Sequence, residues 1–161
     1  MSVTPTGPLS KPLNRLRTLL SESATWQTWT GSADATEALE HIYLVEADPD
    51  EVTRPFAVVG FGDSYNARAE AGGAGQVYVD GGELFLMFED EPDSEHSAAD
   101  AELTFLNNVG NSLSEMLEIS GTDAYLTIEE ITLDWGPARS RREEGDEDDY
   151  YQIAWRVNWG I

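Results

Sequence analysis

The chain has 161 residues, 40% of them hydrophobic and 10% aromatic, which is enough for one domain with a real core. Its 31 acidic residues outnumber 9 basic ones, for a net charge of -22, and it has no cysteine. That balance disfavours binding of free nucleic acid, which needs cations to neutralise phosphates, and contact with anionic membranes; the missing thiols exclude disulfides, thiol catalysis and cysteine zinc sites.

Three readings fit the charge. One is a solvated surface from a salt-adapted or GC-rich source, the latter compatible with one Lys against eight Arg. The second is a DNA mimic. The third is a negatively charged channel wall that DNA slides past without sticking.

In chain order, residues 1–9, MSVTPTGPL, read as a flexible arm without the apolar stretch of a signal peptide, and no run is long enough to span a bilayer. Ser10 is placed to cap a first helix with Pro12 in its first turn, and Leu13, Leu16, Leu19 and Leu20 recur at helical spacing. Lys11, Arg15 and Arg17 make this the one basic island of an acidic protein, either a solvated helix face or a docking face for an anionic partner. Thr25 to Gly31, TWQTWTG, reads as a loop anchored in the core by its two tryptophans. Asp34 caps a short helix through Ala38 and Leu39, His41 to Val45 is extended, and Ala47 to Arg54 is an acidic turn.

Phe56 to Phe61 reads as a buried strand, and Gly62 to Gly75 as a polar, glycine-rich loop. Gln76 to Phe88 holds two apolar runs around Asp80, Gly81 and Gly82; the short first run favours one bulged strand over a hairpin. Ser94 to Ser120 is the main helix, with Ser97 and Asp100 suited to its start and Gly121 to its stop. Ala98, Ala101, Phe105, Val109, Leu113, Met116 and Leu117 line one side, with Leu106 beside them. From Tyr125 to Trp135 the alternation changes phase at Glu129 and Glu130, where a β-bulge would return Ile131, Leu133 and Trp135 to the side of Leu126 and Ile128.

Tyr150 to Ile161 is one long strand with Tyr151, Ile153, Trp155, Val157, Trp159 and Ile161 on one face. Termini fray unless docked, so a tryptophan-loaded end implies a strand held in a sheet. These elements predict an α+β domain over 10–161, a mostly antiparallel sheet with a long helix packed on one face and a shorter N-terminal helix, and projecting loops at 62–75 and 136–149.

Little points to chemistry. His41 and His96 are the only histidines and no HExxH occurs, so a transition-metal site is not expected. Gly60 to Gly62 and Gly72 to Gly75 complete neither a dinucleotide fingerprint nor a phosphate loop, and there is no GxSxG elbow. Asp146 to Asp149 lacks EF-hand spacing. Glu83 and Glu89 have no Lys or His neighbour in sequence to suit a carboxylate hydrolase. No enzyme, metal or cofactor is therefore expected. Arg139, Arg141 and Arg142, followed by Glu143, Glu144, Asp146, Glu147, Asp148 and Asp149, place opposite charges on one projecting hairpin. The loop either neutralises itself or makes charge-complementary contacts between identical subunits.

The segments LNRLRTLLSESATWQTWTG, RPFAVVGFGD, GGELFLMFED, ELTFLNNVGNSLSEML and YLTIEEITLDWGPA…YYQIAWRVNWGI, in this order, resemble the tail terminator (neck or tail-completion) proteins of long-tailed bacteriophages, which include the minor tail protein U type. The resemblance covers most of the chain from Leu13 and rests on element order and the characteristic ending. It implies a virion protein: a homohexameric ring on the tail tube that stops tube growth, joins the head connector and leaves a lumen for DNA. It implies no catalytic residue. The acidic insertion in the last hairpin and the length of 62–75 depart from the family's pattern. Other classes remain: an acidic DNA mimic that blocks a DNA-binding protein, a paired-carboxylate hydrolase, or a neighbouring head-completion or tail-tube subunit.

Overall fold

The computed structural model describes residues 7–44, 53–71, 75–91, 98–121, 126–140 and 150–160. The fold is α+β. Helices α1 (Lys11–Ser21), α2 (Ala24–Thr30) and α3 (Ala35–Leu39) precede strands β1 (Ile42–Leu44), β2 (Phe56–Glu70) and β3 (Gln76–Asp90). Helix α4 (Ala98–Ser120) then leads into β4 (Thr127–Ser140) and β5 (Tyr150–Gly160). The strands form one sheet in the order β1-β2-β3-β5-β4. Among the described residues only the β1–β2 pair is parallel; β2–β3, β3–β5 and β5–β4 are antiparallel.

Strand β5 is interior, flanked by β3 and β4, which is why so many aromatics can be buried along it. Leu84, Leu86 and Phe88 of β3 stand opposite Val157, Trp155 and Ile153 of β5, and side chains in register share a face. All four helices contribute buried residues to the cluster on that face, among them Leu16, Trp26, Ala38 and Phe105. This is the helix side. Phe105 of α4 stacks on Tyr151 at 5.7 Å, and Trp26 meets Phe88 at 5.8 Å. Ala101, Val109, Leu113 and Met116 continue the buried stripe of α4, as the spacing predicts. Leu117, expected in the stripe, is 41% exposed. Among the described residues no helix is long and apolar enough to cross a membrane.

Further expectations change. The segment holding Trp26 and Trp29 is a helix: Ser23 accepts from Trp26 N, and Gly31 ends α2 in the left-handed conformation at φ 69°. Ser10 stands at the N-cap position of α1 without a side-chain cap. The span 62–75 is not a loop up to Glu70, because β2 continues through it. Likewise β4 runs on to Ser140, so Gly136 to Ser140 belongs to a strand. Gly136 has φ 101°, a region that favours glycine, and carries β4 past a register shift.

Two bulges fall where the pattern predicts. β3 is a single strand, and Asp80 is its unpaired residue between Gly81, opposite Asn66, and Val79, opposite Ala67. Glu129 is unpaired between Ile128, opposite Trp159, and Glu130, opposite Asn158. That bulge sets Ile131 and Leu133 against Val157 and Trp155 on the helix side. Trp135 is different: a further shift places it opposite Ala154, on the other side of the sheet.

Residues 1–6, the turn at 47–52, Ser94, His96 and Ser97, and the tip residues Arg141, Arg142, Glu143, Glu144, Asp146, Glu147, Asp148 and Asp149 lie outside the described residues.

Candidate assembly surface

β2 and β3 run past the rest of the sheet. Among the described residues, β1 pairs with β2 at Ala57 to Val59, and β5 with β3 from Gly81 to Asp90. Tyr65–Glu70 with Gln76–Asp80 is therefore a two-stranded arm. Residues 66–71 and 75–77 are exposed. Register gives the arm two chemically different sides. Ala67 opposite Val79 and Ala69 opposite Val77 make an apolar side, of which Val77 is 43% exposed. Arg68 opposite Tyr78 and Glu70 opposite Gln76 make a polar side. There the Arg68 guanidinium lies 5.1 Å from the Tyr78 ring centre and its Nε 3.4 Å from Glu70. The Tyr78 hydroxyl donates to Gln76 Oε1.

The apolar side of the arm continues into the helix side of the sheet through Tyr65 and Phe61, whose rings meet edge-on at 5.6 Å. Tyr65 also meets Trp159 at 6.1 Å, and burial pushes its hydroxyl pKa up to about 12. Phe61 remains 54% exposed. The alternation of Asn66, Arg68 and Glu70 with Ala67, Ala69 and Ala71 is the sequence signal for this arm. Small residues and glycines make that signal resemble a loop.

At the opposite edge, β4 is irregular, with register shifts after Ile128, Leu133 and Trp135 and with Pro137 in the strand. Such bulges and prolines blunt an edge against simple strand addition. Its side chains are a different matter. Leu133 is 50% exposed beside half-buried Ile131 and Trp155, and Glu129 and Glu130 are exposed at the adjoining bulge. Asp134 holds Arg156 at 3.0 Å. The backbone of Arg139 pairs with Tyr151, near the end of the hairpin.

The side of the sheet away from the core cluster has its own organisation. Arg54 Nη2 lies 2.8 Å from Glu89 Oε2, with both side chains 7% exposed. The guanidinium sits 3.9 Å from the Tyr150 ring centre, and Gln152 donates to Glu89 Oε1. Beside this cluster, Ala154 is fully buried between Met87 and Trp135. Sequence reading found no partner for Glu89 because Arg54 lies 35 residues away along the chain.

A recess of about 670 Å³ opens at the end of the sheet, lined by Ser64, Asn66, Asp80, Glu129, Glu130 and Asn158 with backbone of the neighbouring glycines. Among the described residues no three His, Asp or Glu side chains converge on a metal position. In the basic island, Lys11 is exposed and Arg15 half-buried. Arg17 turns toward the fold: its Nε donates to Ile42 O at 3.1 Å and its Nη2 to Leu39 O at 3.4 Å. Burial lowers its pKa from the usual arginine value.

Elsewhere the ionisable groups serve the framework. Glu115 of α4 accepts from the Ser23 hydroxyl and the Thr25 amide at the start of α2. Asp90 accepts from Trp29 Nε1 at 2.8 Å, yet burial keeps its pKa above the ordinary carboxylate value. His41 is half-buried, and among the described residues its Nδ1 has no hydrogen-bond partner.

Against known proteins, no family model matches the chain, and no curated protein resembles it significantly in sequence.

Proposed function

We propose that the chain is a structural virion subunit that forms a ring at the head-proximal end of a phage tail, ends tube growth and joins the tail to the head connector. The observation that carries this reading is the β2–β3 arm, which runs past the neighbouring strands and leaves Ala67, Ala69 and Val77 exposed on its apolar side. Such a ribbon suits contact between protein subunits. The resemblance of the ordered segments to tail terminators supplies the specific assembly. The charge of -22 suits a lumen through which DNA passes without sticking. In this reading the protein is not an enzyme, its site is virion rather than membrane, and its partners are its own copies, the tail tube and the connector.

The test is native mass at two protein and two salt concentrations, followed by addition of the protein to polymerising tail tubes of the phage that encodes it. Hexamers, or a monomer–hexamer equilibrium, together with tubes capped at one end, support the reading. Uncapped tubes with a strict monomer count against it. They would move the search to a DNA-binding enzyme as target, the acidic-mimic alternative.

A further inference from the structure

We propose that helix α4 pairs with α4 of a second copy, antiparallel and crossing at Gly110, so that Leu103 of each copy lies against the other copy's Leu117. The contact goes beyond the ring reading above: a two-fold pair closes on itself, whereas a cyclic ring is built head to tail. It does not depend on the tail.

Three observations support it. First, one flank of α4 is apolar and open. Leu103, Leu106, Gly110 and Leu117 recur at the spacing that places residues on one side of a helix. Leu103 is 56% exposed, Leu117 is 41% exposed, and Leu106 is half-buried. Second, Gly110 has no reason within its own copy. Glycine weakens a helix interior, and a Cβ here would meet nothing within 4 Å among the described residues. A missing side chain at that point lets a second helix come close.

Third, the charge selects a second copy. Leu103 to Ser114 is the longest run of the chain without a charged residue, in a sequence that is 25% charged. Copies carrying -22 repel, and they approach at least cost where neither presents charge. A basic partner would be drawn by carboxylates and an acidic one by cations. The exposed positions of this run, Thr104, Asn107, Gly110, Asn111 and Ser114 with Leu103, carry neither. The bordering Glu102 and Glu118 fall on opposite flanks of the stripe at about 3.6 residues per turn.

The antiparallel sense follows from symmetry and dipoles. Leu103 and Leu117 lie at equal distances from Gly110, roughly 10 Å along the axis on either side. A two-fold axis at Gly110 therefore brings each against the other, and opposed helix dipoles attract where aligned ones repel.

The native chain has no cysteine, so single introduced thiols report without background. Leu103→Cys and Leu117→Cys proteins, each checked by circular dichroism for an intact fold, would be mixed and treated with a short bismaleimide. The expected product is a Leu103→Cys to Leu117→Cys heterodimer in excess of either homodimer. Gly110→Gln added to both proteins fills the crossing point. It lowers the yield about tenfold, yet raises the melting temperature of dilute protein because glutamine suits a helix interior better than glycine. A predominance of Leu103→Cys homodimers overturns the proposal, since only a parallel pair brings those positions together. So does the absence of the heterodimer, or a yield that Gly110→Gln leaves unchanged. Native mass gives a second reading that needs no thiol. At matched concentration Gly110→Gln is expected to shift the otherwise native chain toward lower mass, and an unchanged mass distribution overturns the contact.

Discussion

The hydroxyl of Ser23 donates to Glu115 Oε2 at 2.8 Å, across 92 residues of chain. The same carboxylate accepts from the Thr25 amide at 3.2 Å, so one side chain of α4 closes the N-terminus of α2. A seven-residue helix rich in Thr and Trp has little stability of its own. Here Ser23 caps from within, Glu115 caps from outside, and Trp26 drives the helix into the core with its Nε1 donating to Ala38 O at 3.1 Å.

Glu115→Ala is expected to cost about 1–2 kcal/mol, because two donors at a helix start lose their acceptor. Burial opposes ionisation of Glu115, but the bonds from Ser23 and Thr25 outweigh it and hold its pKa below the usual value. A lowered folded pKa means its contribution is complete above the unfolded carboxylate pKa and fades as pH falls through the folded one. Urea unfolding near neutral pH and in acid checks this. A gap between wild type and Glu115→Ala that does not shrink in acid would contradict it.

Removing half of the buried ion pair should hurt more than removing all of it. Glu89→Ala leaves the Arg54 guanidinium without its buried partner, with only exposed Glu91 at 3.9 Å, and is expected to cost about 3–5 kcal/mol. Arg54→Met with Glu89→Leu replaces both charges by apolar volume and should cost far less. A thermodynamic cycle over the single and double variants measures the difference, and additive effects would refute the coupling.

Asp90 has the opposite sign to Glu115. Burial raises its folded pKa, and the bond from Trp29 only partly offsets that. Its ionised form is thus penalised near neutrality, and stability from this group rises as pH falls from the folded to the unfolded pKa. Asp90→Asn should be at least as stable as wild type near neutrality, with the difference moving toward wild type in acid. Denaturation midpoints across that range decide it.

Two glycine substitutions should act in opposite directions. A Cβ on Gly82 would stand 2.5 Å from Tyr65 Cδ1 and 2.8 Å from Ser64 O, so Gly82→Ala is expected to destabilise by about 1–3 kcal/mol where the arm leaves the sheet. A Cβ on Gly110, inside α4, meets nothing within 4 Å. Gly110→Ala should stabilise by about 0.5–1 kcal/mol through helix propensity. Thermal unfolding of the two variants gives both signs.

Periodicity made the larger elements readable. The stripe from Ala101 to Met116 and the alternation from Tyr151 to Trp159 reflect burial on one side, which a helix or strand writes directly into residue order. The phase slip at Glu129 and the break at Asp80 were readable for the same reason, since each interrupts a pattern with a known period. The β2 half of the arm and α2 were read as loops. Residues 66–70 have solvent on both sides, so polar residues and glycines replace the usual contrast. Helix α2 is too short to show a period, and Glu115, which supports its Ser23 cap, lies far away in the chain.

The sequence by itself determined the fold class, the long helix, the docked C-terminal strand and the acidic surface, because those depend on local pattern and composition. Only the tertiary structure decided that Arg54 meets Glu89, that Glu115 starts α2, that Arg17 turns inward, and that β2 and β3 overhang the sheet while Leu133 stays uncovered at the other edge. Those depend on contacts between distant segments and on where one element ends relative to its neighbours, and neither leaves a periodic trace in a single chain.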